Sequence, residues 1–247
     1  MDNLTVIVTG ASTGIGKEIA RLFLNRGHNV ILNASNEGNL AAAYAEFGSP
    51  NNATLLVGDI ADKAVGDKLV KLAIDKYGSI DVLVNNAGVF QPKPFLEVDH
   101  RDLDRFLGIN LKGTFYTTQA AIRQMLEQNG GSIINIGTVL VDHAIAGFPA
   151  TAPITSKGAI HALTRQLASE FGKNNIRVNT IAPGIIRSPL QGKMGVDDAD
   201  SLAGLHLLDR IGEPKEVAEA AYYLATSDFV TGETLNVAGG HTVGHAI

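Results

Sequence analysis

Short apolar runs alternate with helix-periodic segments along the whole chain of 247 residues. The first run, Leu4 to Val8, is apolar throughout, as is typical of a strand buried on both faces. Apolar residues then recur at helical spacing from Ile15 to Phe23, and Gly27 ends the pattern. Buried strands separated by helices indicate a parallel sheet covered on both sides. We therefore predict an α/β protein with a doubly wound parallel sheet of the Rossmann type.

The same alternation predicts the rest of the fold. Strands are expected at 30–32, 54–57, 82–85, 132–136, 177–181 and 234–237. Helices are expected near 40–47, 63–77 and 215–226, and within 102–128 and 155–171. The segment at about 188–209 interrupts this rhythm, and we predict that it forms a lid insert over the ligand crevice at the carboxyl ends of the strands. No linker or repeat divides the chain, so residues 1–247 are predicted to form one domain.

Composition excludes several classes of protein. Hydrophobic residues make up 45% and charged residues 18%, which is typical of a globular domain. A net charge of −5 gives no electrostatic reason to bind nucleic acid or an anionic membrane, and no apolar run reaches the ~20 residues of a membrane span. The chain passes from Met1 directly into the first predicted strand, so we expect no signal peptide. The chain has no cysteine, which excludes disulfides and thiol catalysis and favours a cytoplasmic location.

A glycine-rich turn, Gly10-Ala11-Ser12-Thr13-Gly14-Ile15-Gly16, closes the first predicted strand and opens the first helix. Glycines allow a tight turn and let backbone N–H groups approach a pyrophosphate, while the helix offers its positive end. Glycine in a turn is often only a turn. Its position directly between a strand and a helix, however, is the context that a dinucleotide site requires.

Six ordered blocks resemble the short-chain dehydrogenase/reductase family, and they cover nearly the whole chain. They are Thr9–Gly16, Gly58-Asp59-Ile60, Asn85-Asn86-Ala87-Gly88, Gly108-Ile109-Asn110, Arg177–Gly184 and Thr231–Gly240, with Ala238 where the family usually has aspartate. The resemblance implies a nicotinamide-dependent oxidoreductase that acts on a small-molecule substrate and assembles as a homotetramer. Its dimer contacts would lie on the long helix within 102–128 and on the helix after Lys157.

The resemblance also implies which residues bind the cofactor. They are Gly10, Ser12, Thr13, Gly14, Ile15 and Gly16 at the pyrophosphate, Asp59 and Ile60 at the adenine, Asn86, Ala87 and Gly88 after the fourth strand, Lys157 at the ribose, and Pro183, Gly184 and Ile186 at the nicotinamide.

The end of the second predicted strand bears on the choice between NADP and NAD. An NAD enzyme places an acid there for the ribose 2′-hydroxyl, whereas this chain has Ala34 in that position. No carboxylate repels a 2′-phosphate, and Ser35 and Asn36 could donate to it. We predict NADP, with NAD as the alternative; these polar residues could equally form only a turn.

The catalytic blocks depart from the family at two positions. The family reads Tyr-x-x-x-Lys, whereas this chain reads Pro153-Ile154-Thr155-Ser156-Lys157, and none of its five tyrosines falls nearby. A pyrrolidine ring has no proton to give, although proline suits the first turn of a helix. Thr138 stands at the place of the family's serine and keeps a hydroxyl for the substrate oxygen. Asn110 corresponds to the active-site asparagine.

Three explanations of the missing tyrosine remain open. His143, in a loop two residues longer than usual, could act as the acid with Asp142 orienting it. Lys157, or a water held by Asn110, could deliver the proton instead. Alternatively, the protein could bind the dinucleotide with little or no catalysis, as a sensor or a partner subunit.

The histidines do not predict a metal site. His241 and His245 are four residues apart but lie in a Gly-rich segment, so we expect no metal. The sequence therefore predicts an NAD(P)(H)-dependent oxidoreductase that interconverts a carbonyl or imine and an alcohol or amine with a non-standard proton donor.

Overall fold

One seven-stranded, entirely parallel sheet forms the centre of the computed structural model, which describes residues 3–188 and 198–245. The strands are β1 Thr5–Thr9, β2 Asn29–Ala34, β3 Ala53–Val57, β4 Val82–Asn85, β5 Gly131–Ile136, β6 Ile176–Pro183 and β7 Thr234–Val237. Their order is β3-β2-β1-β4-β5-β6-β7, so the chain winds outward from β1 in one direction and from β4 in the other. The register aligns Thr9 with Asn33 and Asn85 with Asn135, which brings the carboxyl ends to one edge.

Helices cover both faces of the sheet. They are α1 Gly14–Asn25, α2 Glu37–Glu46, α3 Lys63–Tyr77, α4 His100–Phe106, α5 Thr114–Glu127, α6 Thr151–Phe171 and α7 Pro214–Thr226. One apolar cluster joins a face of the sheet to α1, α2 and α7 and includes Phe23, Leu40 and Leu224. The other joins the opposite face to α3, α5 and α6 and includes Leu69 and Met125. The predicted doubly wound α/β fold is confirmed.

The helix predicted within 102–128 is interrupted. A π-helical segment, Leu107–Gly113, separates α4 from α5. Such segments are rare in helices and often occur at functional sites because they redirect one turn of side chains. Asn110 lies in the middle of this segment. Sequence periodicity does not detect a single wide turn, because the apolar residues on either side keep their helical spacing.

Helix α6 begins earlier than the sequence predicts. Its first residue is Thr151 rather than a residue at or after Thr155, and Ala150 is its N-cap. Pro153 therefore lies in the first turn, where the missing N–H breaks no helical hydrogen bond. The pyrrolidine ring is buried, so the fold accommodates this apolar side chain in the first turn of α6.

A buried polar network joins two central strands, β4 and β5, to the helices α5 and α6 that pack on them. Asn85 Nδ2 donates to Asn135 Oδ1 at 2.9 Å and to the hydroxyl of Thr118 on α5 at 2.8 Å. Asn135 Nδ2 donates to Thr164 Oγ1 on α6 at 2.9 Å. The network thus ties α5 and α6, which carry site residues at or near their ends, to the same pair of strands.

Part of the predicted lid insert falls in the described residues. Ala199–Leu205 forms a 3₁₀ helix, and Leu208 N donates to Gly239 O, which pins the segment to the chain after β7. Residues 189–197 of the insert lie outside the described residues. None of the helices in the described ranges is both long and apolar enough to cross a membrane.

We predict that Asn135→Leu destabilises the fold by about 2–5 kcal/mol, because each buried polar group left without its partner costs about 1–3 kcal/mol. The Asn85 amide would lose the partner of one N–H and keep its bond to Thr118, and the Thr164 hydroxyl would keep its bond to Thr180. The urea midpoint, measured at one protein concentration, checks this prediction. Asn51→Ala, at an exposed asparagine before β3, serves as the control and should move the free energy of unfolding by less than about 0.5 kcal/mol. Equal midpoints for the two variants would show that the network does not stabilise the fold.

Candidate active site

The glycine turn is pressed against the chain that follows β4. Gly10 has a φ of +65°, and a Cβ on it would lie 2.8 Å from the Cα of Ala87. A Cβ on Gly16 would collide with the Asn86 side chain and with the carbonyl oxygen of Gly10. Asn86 Nδ2 donates to Thr9 O at 3.0 Å and to Gly10 O at 3.1 Å. The turn and the Asn-Asn-Ala-Gly block therefore form one unit with no room for larger residues.

The N-terminus of α1 differs from those of the next three helices. Its N-cap, Thr13, makes no side-chain cap hydrogen bond, and its first turn carries no acidic residue. The N-termini of α2, α3 and α4 are capped by the side chains of Asn36, Asp62 and Asp99. A helix N-terminus without a cap or an acid presents its N–H groups and positive dipole to an anion. The predicted pyrophosphate site at Gly10 to Gly16 fits this geometry.

The end of β2 forms the adenosine side of the crevice. Ala11 N donates to Asn33 O at 2.8 Å, so the glycine turn is tied to β2. Ala34 is buried where an NAD enzyme has its acid, and Ser35 is exposed beside it. Asn36 Oδ1 accepts from Asn39 N at 2.8 Å as the cap of α2, so this oxygen is already used.

The two residues predicted at the adenine differ in exposure. Asp59 is exposed, and its carboxylate accepts from Ala61 N at 2.9 Å, which stabilises the turn after β3. Ile60 is buried, and its side chain packs where a Cβ on Gly113 would lie, 2.6 Å from Ile60 Cδ1. Any contact between Ile60 and a nucleotide would therefore have to come from its backbone.

Lys157 and Asn110 converge on Gly88. A Cβ at Gly88 would lie 3.1 Å from Asn110 Oδ1 and 3.3 Å from Lys157 Nζ, so glycine leaves the space that these two side chains need. Lys157 Nζ donates to the carbonyl oxygen of Ile136, at the end of β5, at 2.6 Å. The structure brings together two of the four predicted catalytic residues in this way.

Burial lowers the pKa of the Lys157 ammonium from 10.5 to about 8. A charged amine loses hydration when protein surrounds it, and here only a carbonyl oxygen compensates. The amine can therefore exchange a proton close to neutral pH, which an ordinary exposed lysine does not do.

Ser156 is a site residue that sequence reasoning missed. It is fully buried; its hydroxyl accepts from Asn110 Nδ2 at 2.9 Å and donates to Pro153 O at 2.7 Å. Asn110 also exchanges two hydrogen bonds with the backbone of Val89, at 2.8 and 2.9 Å. Ser156 thereby fixes the asparagine relative to the first turn of α6. Its only sequence signal is a small polar residue directly before the motif lysine.

Thr138 follows β5 directly after Gly137 and is half-buried. Its hydroxyl oxygen accepts from Leu140 N at 3.3 Å, which caps the 3₁₀ turn Val139–Val141 and orients the side chain. The hydroxyl proton remains available to donate, because a hydroxyl offers one donor in addition to its lone pairs.

His143 contacts other histidines. Its ring packs against those of His241 and His245, with centroids 5.2 and 5.4 Å away. The hypothesis that Asp142 orients His143 is not supported, since the Asp142 carboxylate lies 3.9 Å from Nδ1 of His161 on α6 instead. His161 is buried one helical turn beyond Lys157, so the long loop directs Asp142 towards α6.

The block from Arg177 to Gly184 begins with a structural arginine and ends at the carboxyl edge of the sheet. Arg177 donates to the carbonyl oxygens of Leu224 and Ala225 at the end of α7, so the start of the block is structural. Gly184 lies at the carboxyl end of β6, where a Cβ would be 2.8 Å from Nε2 of His206. Pro183 pairs with Val237 in β7. Ile186 is buried and forms a parallel β-bridge with Gly212, so its side chain packs inside the protein next to this edge of the sheet.

Comparisons with known proteins support the family resemblance of the sequence. A family model described as enoyl-(acyl carrier protein) reductase matches residues 10–242. The chain is 35% identical over 247 residues to the (2S)-[(R)-hydroxy(phenyl)methyl]succinyl-CoA dehydrogenase subunit BbsD of Thauera aromatica, covering 98% of each chain. It is 34% identical to the 3-oxoacyl-[acyl-carrier-protein] reductase FabG of Thermotoga maritima, covering 97% of this chain and 98% of that one.

Solved structures agree as well. A short-chain dehydrogenase/reductase, glucose/ribitol dehydrogenase, from Brucella melitensis superposes with a TM-score of 0.89 at 33% identity, covering 98% of this chain and 97% of that one. The structure of ElxO with NADP bound gives a TM-score of 0.88 at 27% identity, covering 97% and 99%.

We predict that Gly16→Ala weakens coenzyme binding by at least about tenfold, which corresponds to about 1.4 kcal/mol. The added Cβ would displace Asn86 and the carbonyl of Gly10, and with them the turn that faces the pyrophosphate. Fluorescence titration with NADPH and NADH measures the effect, and circular dichroism confirms folding. Gly172→Ala is the matched control, because a Cβ there meets no atom within 4 Å. Unchanged affinity in a folded Gly16→Ala protein would contradict the assignment.

Proposed function

The chain belongs to the short-chain dehydrogenase/reductase family as an oxidoreductase that uses a nicotinamide dinucleotide, and we propose that it exchanges protons with its substrate through Lys157. The substrate pair is a carbonyl and an alcohol, or an imine and an amine. The observation that carries the proposal is the environment of Lys157: an enclosed amine with a pKa of about 8, at the end of β5, where the neighbouring phenol is replaced by Pro153.

Lys157 is better suited to this role than His143. The amine lies at the same edge as Thr138, since its hydrogen-bond acceptor, Ile136, is two residues before that threonine. The imidazole of His143 is instead engaged with two other histidine rings. A general acid works best when its pKa lies near the working pH, and Lys157 meets this condition without a tyrosine.

The proposed reduction adds one hydride and one proton to the substrate. The dinucleotide, when bound, supplies the hydride to the carbonyl or imine carbon. The Lys157 ammonium releases a proton to the substrate oxygen or nitrogen, and the C=O or C=N double bond becomes a single bond. Lys157 is left as a neutral amine, and water restores its proton. Oxidation runs the same steps backwards and requires the neutral amine as base.

Two further residues support this chemistry. We infer that Thr138 donates its hydroxyl proton to the substrate oxygen and so positions the carbonyl, because its own oxygen is already oriented by Leu140 N. Asn110 is fixed by Val89 and Ser156 and shares the space over Gly88 with Lys157. It is suited to hold the water that reprotonates the amine.

NADP is the proposed coenzyme. Ala34 leaves no carboxylate at the end of β2, and the exposed Ser35 hydroxyl lies next to the capped N-terminus of α2. A structural neighbour binds NADP. Asn36 caps α2 with its side-chain oxygen, which leaves its Nδ2 group to donate to a 2′-phosphate.

A cytoplasmic homotetramer is the proposed assembly. Leu103, Phe115 and Leu126 on α4 and α5 are 39–45% exposed, on the helices where the family makes its dimer contacts. Large exposed apolar side chains are common at interfaces between subunits. The absence of cysteine favours a reducing compartment.

We predict that carbonyl reduction slows as the pH rises through about 8, because the ammonium form of Lys157 is the acid and is lost above its pKa. Alcohol oxidation should accelerate over the same range. Lys157→Met should lower kcat by about 10²–10⁴-fold, the usual loss for a general acid. Added methylamine should restore part of kcat. The measurement is the absorbance of the reduced coenzyme across a panel of carbonyl, imine and alcohol substrates.

Coenzyme dissociation constants, measured separately, distinguish loss of ribose binding from loss of proton transfer in the Lys157→Met variant. Pro153→Tyr tests the rival explanation, a protein that binds the dinucleotide without turnover. If the unmodified protein is inactive on the whole panel while Pro153→Tyr is active, the site is vestigial and the proposal fails.

We predict that Ala34→Asp shifts coenzyme preference from NADPH to NADH, since the new carboxylate would repel the 2′-phosphate and accept from a 2′-hydroxyl. Ala34→Asn is the control of equal size without the charge, and it should keep the preference for NADPH. Dissociation constants for both coenzymes check this. Tighter binding of NADH than of NADPH by the unmodified chain would overturn the choice of NADP.

A further inference from the structure

Four histidines from three separate segments meet beside the crevice. His143 comes from the loop after β5, His206 follows the 3₁₀ helix of the lid insert, and His241 and His245 follow β7. The centroids of the His143, His241 and His245 rings form a nearly equilateral triangle, with separations of 5.2, 5.4 and 5.6 Å. His206 lies behind His241, with their centroids 5.5 Å apart.

His241 is the least satisfied member of this group, although Nδ1 of the buried His206 also lacks a hydrogen-bond partner among the described residues. It is completely buried, and neither of its ring nitrogens has a hydrogen-bond partner among the described residues. A neutral imidazole has one donor and one acceptor, and leaving a buried polar group unpaired costs about 1–3 kcal/mol. An orphaned buried group of this kind calls for a ligand or an ordered water.

The hydrogen bonds of the neighbouring rings define their tautomers. Nδ1 of His245 lies 3.1 Å from the carbonyl oxygen of Leu205, so Nδ1 donates and Nε2 keeps its lone pair. This is the arrangement in which metal-bound histidines are usually held, with the second nitrogen donating to a carbonyl. Nε2 of His206 accepts from Ile185 N at 3.1 Å, so it is already used.

We propose that His143, His241 and His245 bind a divalent transition-metal ion of the Zn²⁺ class through imidazole nitrogens. Nitrogen ligands lie about 2.0–2.1 Å from zinc, and two imidazoles held tetrahedrally by one ion have centroids on the order of 5 Å apart. The three measured separations match that spacing. His206 packs behind His241 and is not a ligand. This inference does not depend on the proposed proton donor.

The rings must turn to bind an ion. Within residues 3–188 and 198–245, no three His, Asp or Glu side chains are arranged to hold a metal as they stand. The rings of His143 and His241 meet at 86°, and those of His241 and His245 at 89°. Edge-to-face contacts of this kind are what aromatic rings adopt in the absence of an ion, and rotation about χ2 redirects the nitrogens without moving the centroids far. The ligand geometry would therefore form only when the ion binds and the rings rotate towards it.

The proposed site lies at the nicotinamide edge of the crevice. His206 contacts Gly184 and Gly239, at the ends of β6 and β7, and its own loop carries the described part of the lid insert. A bound ion would join the loop after β5 to the C-terminal segment, and the bond from His245 to Leu205 would link the lid insert to both. Sequence analysis did not predict this site, because only His241 and His245 are close together in the sequence. The fold brings His143, the third proposed ligand, next to them.

Calorimetric titration of the tag-free full chain with Zn²⁺ tests the proposal, and Co²⁺ supplies a visible spectrum that reports imidazole coordination. We expect one ion per chain and a rise in melting temperature on binding. His143→Ala and His245→Ala, at half-buried and exposed positions, should each weaken binding by at least about 10–100-fold. Both should also abolish the tetrahedral Co²⁺ spectrum. Neither change is expected to prevent folding, whereas His241→Ala would leave a cavity at a buried position and could destabilise the fold.

His100→Ala is the matched control, because His100 is an exposed histidine in the first turn of α4 and lies outside the cluster. It should leave affinity, stoichiometry and spectrum unchanged. Absence of binding to the unmodified chain would overturn the proposal. So would binding that His143→Ala and His245→Ala leave intact, since the ion would then be held adventitiously elsewhere.

Discussion

The close contact between the glycine turn after β1 and the chain after β4 is the constraint on which the rest of the site depends. Asn86 holds Thr9 and Gly10 by their carbonyl oxygens, and neither Gly10 nor Gly16 can carry a Cβ without displacing it. This contact fixes the uncapped N-terminus of α1 relative to Gly88. It therefore sets the distance between the proposed pyrophosphate site and the place where Lys157 and Asn110 meet. The geometry of the proposed binding site follows from packing of the chain itself.

We propose that Pro153 stands where the family has its phenol, which changes what the remaining residues must do. The resemblance implies a lysine that tunes a tyrosine; here Pro153 is buried and the enclosed amine of Lys157 has a pKa of about 8 of its own. Asn110 lies in the π-helical segment, shares the space over Gly88 with Lys157, and is held by Ser156. The proposed proton exchange rests on these residues and on the hydroxyl of Thr138.

The fold was predictable because its strands are apolar on both faces and its helices have regular spacing, and both patterns are local. The glycine turn, Asn110, Thr138 and Lys157 were found through motif position. The link from Asn110 to Ser156, the burial that shifts Lys157 and the pairing of Asp142 with His161 all arise from long-range packing. The histidine group joins residues about a hundred positions apart, so no spacing rule in the sequence detects it. Tertiary contacts, not motifs, carry that information.

The most direct test of the account is an NMR titration of the Lys157 side chain, using the ¹³C resonance of its ε-methylene group, assigned by comparison with Lys157→Met. The account predicts a midpoint near pH 8, well below the 10.5 of an ordinary lysine, because the enclosed ammonium has little to replace its hydration. A midpoint near 10.5 would contradict it, since the amine could not then exchange protons near neutral pH without a tyrosine.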